Sequence, residues 1–129
     1  MHPFRAAVEA GDLPAALALL ADDVVFRSPV VFKPYRGRDA VAPILLGVSQ
    51  VFEDFRYVRE IGGPSGQDHA LLFEARVGDR ALEGCDFLHS GGDGLITEFT
   101  VMVRPLSATL ALAEAMKAQL AAYEGGGSG

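Results

Sequence analysis

Between Ala81 and Arg104 the chain reads ALEGCDFLHSGGDGLITEFTVMVR. Two alternating runs flank Ser90-Gly91-Gly92-Asp93-Gly94, a turn cluster whose glycines can take positive φ. Successive side chains of a strand point to opposite faces. Leu82, Gly84, Asp86 and Leu88 therefore share one face, and Ala81, Glu83, Cys85 and Phe87 the other. On the second run Leu95, Thr97, Phe99, Val101 and Val103 fall together, while Ile96, Glu98, Thr100, Met102 and Arg104 form a more polar face. If both apolar faces look into one interior, Asp86 is a lone carboxylate among Leu, Phe and Val. A charge buried without a partner is costly, so such a group shifts its pKa or has a task.

The rest of the chain supplies the elements that would enclose this interior. Residues 3–10 and 13–21 suit two short helices, with Pro3 and Pro14 at their first turns and Asp12 able to cap the second. Residues 24–28 read as a strand, and Pro29 and Pro34 punctuate the loop after it. A third helix is expected over 38–52, kinked or starting late because Pro43 falls inside it. Strands follow at 53–61, 68–78, 80–90 and 95–104, joined by glycine-bearing turns. Pro105 ends the sheet. Beyond it, 106–123 predicts a helix with Leu106, Leu110, Ala113, Met116, Leu120 and Tyr123 on one stripe. Helices followed by a run of strands give an α+β class. The domain is expected to span 1–124, with 125–129 (GGGSG) a flexible linker or tag remnant.

Composition removes several functions. Half of the 129 residues are hydrophobic, which fits one folded domain with a core. The net charge is −6 and the basic residues form no run, which argues against nucleic acid and anionic membranes. No apolar run reaches membrane-spanning length, and no signal sequence is legible. Cys85 is the only cysteine, so a reducing cytoplasm is the expected setting. No histidine pair has zinc spacing, and neither a metal nor another cofactor is expected.

Ala10-Gly11-Asp12-Leu13, Leu20-Ala21-Asp22-Asp23-Val24-Val25-Phe26, Gly37-Arg38-Asp39-Ala40-Val41, Cys85-Asp86-Phe87-Leu88 and Asp93-Gly94-Leu95-Ile96 occur in a characteristic order. In that order and spacing the chain resembles the nuclear transport factor 2-like superfamily, which holds ketosteroid isomerases and SnoaL-type polyketide cyclases. The resemblance runs from about Pro3 to Arg104. It implies a cone-shaped, curved antiparallel sheet wrapped around N-terminal helices. The helix after Pro105 extends beyond the isomerase pattern and would cover either the cone or a dimer face. The resemblance also places the isomerase oxyanion-hole aspartic acid on Asp86. The oxyanion-hole tyrosine falls on Phe4, which has no hydroxyl, and the general-base aspartate falls on Ser28, before Pro29. Steroid isomerisation by that mechanism is therefore not expected. The residue set of limonene-epoxide-hydrolase-like members is not evident, and the superfamily also holds non-enzymes.

Asp86 is the candidate catalytic residue, a base or acid with its pKa raised by desolvation. The alternative is a structural carboxylate bonded to backbone, Ser28 or Tyr35. Candidate substrate contacts are Phe4, Ser28, Phe32, Tyr35, His69, Phe73, Leu88, Phe99 and Val101. Of these, Tyr35 could donate to a substrate oxygen, and His69, on the face of Leu71 and Phe73, would sit at the cavity rim. Tyr57 alternates with Phe55 and reads as packing. Glu74, Glu83, Glu98 and His89 fall on outer faces, and nothing is placed to lower the pKa of Cys85. The leading expectation is a cofactor-independent isomerase, cyclase or lyase acting on a small hydrophobic carbonyl or aromatic molecule. A non-catalytic binding module for such a ligand is the alternative, as is an engineered scaffold for base-catalysed elimination. A homodimer through the outer sheet face is expected from Leu72, Phe87 and Met102, as many relatives form one.

Overall fold

The computed structural model describes residues 1–128, with side chains to Ala121. Tyr123 and the tail expected over 125–129 fall beyond the described side chains. The elements are α1 (Pro3–Glu9), α2 (Leu13–Ala18), β1 (Leu20–Arg27), β2 (Tyr35–Arg36), α3 (Arg38–Val51), β3 (Glu53–Ile61), β4 (Asp68–Val77), β5 (Arg80–Ser90), β6 (Ile96–Arg104) and α4 (Leu106–Ser128). The expected α+β class is the observed one. None of the helices is long and apolar enough to cross a membrane among the described residues.

Local chemistry explains the helix starts. The ring Nδ1 of His2 accepts from the Phe4 amide at the head of α1, and the Asp12 carboxylate accepts from the Ala15 amide at the head of α2. The second helix ends at Ala18, sooner than its alanine-rich pattern suggests, because the Leu19 carbonyl accepts from the Ile96 amide and Leu20 pairs with Ile96. Pro43 lies inside α3, which nonetheless begins at Arg38. Proline leaves the carbonyl four residues earlier without its helical donor.

The six strands form one sheet in the order β2-β1-β6-β5-β4-β3. Neighbours are antiparallel, with one departure from the expected pattern: β1 and β6 run parallel. Strand β2, a two-residue piece, was not legible in the sequence. Strict alternation holds along β5, where Leu82, Asp86, Leu88 and Ser90 are buried. It fails on β6. Ser90 pairs with Ile96 and His89 with Glu98, so an extra residue sits between the pairs. Such a bulge flips the faces. Ile96 is fully buried and Leu95 and Thr97 are not, the reverse of the expected register there. Beyond the bulge, Phe99, Val101 and Val103 face the core as expected.

The helices cover the inner face of the sheet. Helix α4 packs on α3 and against β4, β5 and β6. Its buried residues are Ala108, Leu112 and Met116, whereas Leu106 and Leu110 are exposed. The expected stripe holds at Ala113, Met116 and Leu120, which face the interior, and fails in the first turns, where Ala108 is buried and Leu106 and Leu110 point outward. Since Leu112, Met116 and Leu120 look into the interior, α4 covers the cone and leaves the outer sheet face bare. Gly84 marks the tightest packing within the sheet. A Cβ there would fall 2.2 Å from Cζ of Phe73, its cross-strand neighbour. Only glycine lets that ring lie flat on β5.

Candidate active site

A cavity of about 650 Å³ lies between the inner sheet face and the helices. Its walls are mostly aromatic and aliphatic: Phe4, Phe26, Phe52, Phe55, Phe73 and Phe99 are among them. The rings brace one another. Phe4 meets Phe99 edge-on at 5.2 Å, and Phe55 lies 4.8 Å from Phe73. Such a space suits a drug-sized apolar ligand held by a few polar groups.

Asp86 is one of those groups. It is buried, it lines the cavity, and the Tyr57 hydroxyl donates to its Oδ2 at 2.9 Å. The other oxygen, Oδ1, has no hydrogen bond among the described residues and is the one left for a ligand. Burial pushes the Asp86 carboxyl up to about 7, and the Tyr57 hydrogen bond pulls the other way. Desolvation is thus the stronger influence, and the group is poised between its two forms near neutrality. Tyr57 is itself raised far above its ordinary range, first by burial and then by the neighbouring Asp86 charge. It remains a phenol and a donor throughout the accessible pH range. The guanidinium of Arg5 lies 5.9 Å from the centre of the Tyr57 ring, and Arg5 is held by Glu9 at 3.1 Å.

Of the residues expected to touch a ligand, Phe4, Ser28, Tyr35, Phe73, Phe99 and Val101 line this cavity with Asp86. Ser28 is already engaged: its Oγ accepts from the amides of Val30 at 3.0 Å and Val31 at 3.2 Å. It shapes the mouth loop and does not bond Asp86. The Tyr35 hydroxyl has no protein partner among the described residues, so it is open to a ligand. Phe32 is a correction. It is fully exposed, because the loop between Pro29 and Pro34 turns it outward. Leu88 is buried beneath Phe99 as core and does not reach the cavity wall. His69 is also not at this cavity. Its Nε2 lies 2.8 Å from the Gly63 carbonyl and its ring meets His2 edge-on at 4.8 Å, at the far end of β4. Burial pushes the Cys85 thiol up, which makes it a poorer nucleophile. His89 pairs with Asp68 on the outer side, which raises its pKa. No group of three or more His, Cys, Asp or Glu among the described residues could hold a metal ion.

Tyr57 is the residue that sequence reasoning missed. Its signal was available. Alternation with Phe55 puts it on the inner face, and a phenol buried among apolar groups needs an acceptor. Asp86 was the acceptor that strand alternation had assigned to that interior.

A family model described as the SnoaL-like domain matches residues 2–99. The chain belongs to that family. A steroid delta-isomerase structure from Pseudomonas aeruginosa is 44% identical, with 93% of this chain and 88% of that one aligned at a TM-score of 0.87. An uncharacterised protein of cystatin-like fold from Silicibacter pomeroyi DSS-3 is 41% identical over 92% of this chain and 86% of that one, at 0.84. An NTF2-like protein from Burkholderia xenovorans LB400 shares the fold at 17% identity, with 78% and 77% covered and a TM-score of 0.66. Among curated proteins, none matches. The SnoaL-like chain thus has the nuclear transport factor 2-like fold that the sequence resemblance implied.

Proposed function

We propose that this SnoaL-like protein is a cofactor-independent enzyme that moves a proton on a small hydrophobic carbonyl compound, with Asp86 as the base. One observation carries the reading: the one carboxylate buried among the described residues, raised to about 7, faces an apolar cavity with one oxygen tied down and the other open. A carboxylate with its ordinary pKa is a weak base, and desolvation makes its ionised form reactive toward an activated C–H. Asp86 takes the proton next to the carbonyl, which leaves an enolate. Returning that proton to another carbon isomerises the substrate, while attack by the enolate carbon on a second carbonyl closes a ring and leaves an alkoxide, which takes the proton back from Asp86. Tyr35 is the group free to donate to the enolate oxygen. The 44% identity to a steroid delta-isomerase supports an enolisable ketone as substrate. The base position of the ketosteroid isomerases is Ser28 here, so the proton transfer is assigned to Asp86 itself.

The test is a pH–rate profile with a β,γ-unsaturated ketone or a benzisoxazole. The rate is expected to rise through about 7 as Asp86 ionises. A fall through the same value instead makes Asp86 a protonated hydrogen-bond donor. The engagement of Ser28 by backbone amides favours a second reading, a non-catalytic binder of hydrophobic ligands. That reading stands if ligands bind and no probe turns over.

We also propose that two copies associate through the outer sheet face. Phe87 and Met102 are exposed there, and Leu72, Cys85 and Met102 align across three strands. Light scattering at micromolar concentration should give twice the chain mass, and Phe87→Glu should halve it. A monomer in both cases defeats the proposal.

A further inference from the structure

The chain has two lysines, and one of them, Lys117, is among the residues that line the cavity. Lys117, on α4 beside Met116, is part of the cavity lining, and Lys33 lies in the mouth loop between the lining residues Val31 and Tyr35. Neither makes an ion pair among the described residues. Most of the arginines differ: Arg27, Arg38, Arg56, Arg76 and Arg104 each meet a carboxylate, whereas Arg36 and Arg59 do not among the described residues. Among the described residues Lys117 is thus the one cationic side chain in the lining of an otherwise largely apolar cavity, in a chain of net charge −6.

We propose that the ligand is an amphipathic anion, a hydrophobic carbonyl compound whose carboxylate rests on Lys117 at the mouth while its apolar body lies inside. This deepens the proton-transfer reading and rests on it for the carbonyl. Lysine can lay its methylene stem along the apolar wall and keep its ammonium in the opening. Asp86 is the buried acidic group of the same cavity, whereas Lys117 is exposed. When ionised it repels a carboxylate, so the anionic end of a ligand is turned away from the base and toward the lysine. Attraction at one end and repulsion at the other fix the orientation of an otherwise featureless apolar molecule. A neutral ligand lacks this orienting pair.

A matched pair of fluorescent probes tests this: 2-naphthylacetate and its neutral amide, titrated against wild type and Lys117→Gln. The acetate should bind wild type roughly fivefold tighter than the amide, the scale of a well-placed exposed ion pair. That preference should shrink in high salt. Lys117→Gln should remove the preference and leave affinity for the amide unchanged. Equal binding of both probes to wild type overturns the proposal, and so does equal weakening of both by the substitution. Wild-type turnover of a neutral ketone is read separately. Turnover without an anion preference overturns the anionic ligand alone, and an anion preference without any turnover overturns the catalytic reading alone.

Discussion

Asp86 and Glu83 stand on the same strand and on opposite faces. Glu83 is exposed and bonded to Arg104, and the outer face repeats the arrangement where Arg56 meets Glu74 at 2.6 Å. Among the described residues Asp86 meets no cation and bonds the Tyr57 hydroxyl alone. The difference shows how position sets the value of one chemical group. Outside, water screens each carboxylate and a partner adds little. Inside, one carboxylate sets the titration, the stability and the chemistry of the cavity.

Replacing Asp86 is expected to have the largest effect. Asp86→Asn keeps an acceptor for Tyr57 but cannot take a proton, so activity should fall by about a thousandfold, within the range of positioned acid–base groups. Stability should move the other way. The folded value of about 7 lies above the ordinary 3.8. Between those values the folded chain holds more protons than the unfolded one, so this group's contribution is full below about 4 and is lost as pH rises to 7. A gap of that width is worth roughly 4 kcal/mol. Asn escapes it. The variant should therefore unfold at higher temperature than wild type at pH 8, and the difference should close near pH 4. A wild type that gains stability as pH rises from 4 to 7 relative to the variant would show that Asp86 is not buried as a desolvated acid.

Gly84 is next. Its Cβ position is occupied by the Phe73 ring at 2.2 Å, so Gly84→Ala must drive that ring toward the cavity. Overpacking of this kind costs about 1–3 kcal/mol. Thermal unfolding should show the loss, and affinity for a naphthyl probe should fall as the cavity narrows. A comparison change on the outer face, Cys85→Val, at a half-buried position, should cost less.

Tyr57→Phe sharpens the contrast further. The hydrogen bond from Tyr57 lowers the Asp86 pKa, so its removal lets desolvation raise that value above 7. Activity at neutral pH should drop roughly tenfold, one pH unit's worth of ionisation, and recover in mild alkali. A uniform drop across the pH range would mean that Tyr57 acts on the substrate and not through Asp86.

Much of this architecture was legible in the chain. The strict alternation of β5 placed Asp86 inside, because nothing interrupts the period between Arg80 and Ser90. Phe4, Phe73, Phe99 and Val101 followed from the same period and from the family resemblance. What was hidden has physical causes. The bulge at Thr97 inserts one residue without a glycine or proline to announce it, so Ile96 was read outward. The parallel pairing of β1 with β6 joins segments far apart in sequence, which no local pattern encodes. Phe32 looked like a wall because it is aromatic, yet loop direction, not hydrophobicity, turned it to solvent. The first turns of α4 were misread because leucines were weighted above alanines: Ala108 is buried there, and Leu106 and Leu110 are exposed. Tyr57 needed a pairwise argument: its hydroxyl and Asp86 each explain the other.

The smallest effect belongs to the outer face. Glu83→Gln removes the charge that meets Arg104 but leaves an acceptor in place. Both side chains are largely in water, where such pairs are worth less than ~1 kcal/mol and weaken with salt. The unfolding temperature should move by at most a few degrees, and the pH–rate profile should not move at all, because no proton held by Glu83 reaches the cavity. The same holds for Arg104→Gln. A shifted profile in either variant would mean that charge on the outer face is felt at Asp86 through the sheet. The two faces would then be coupled, and the carboxylate inside would owe part of its raised pKa to the surface and not to burial alone.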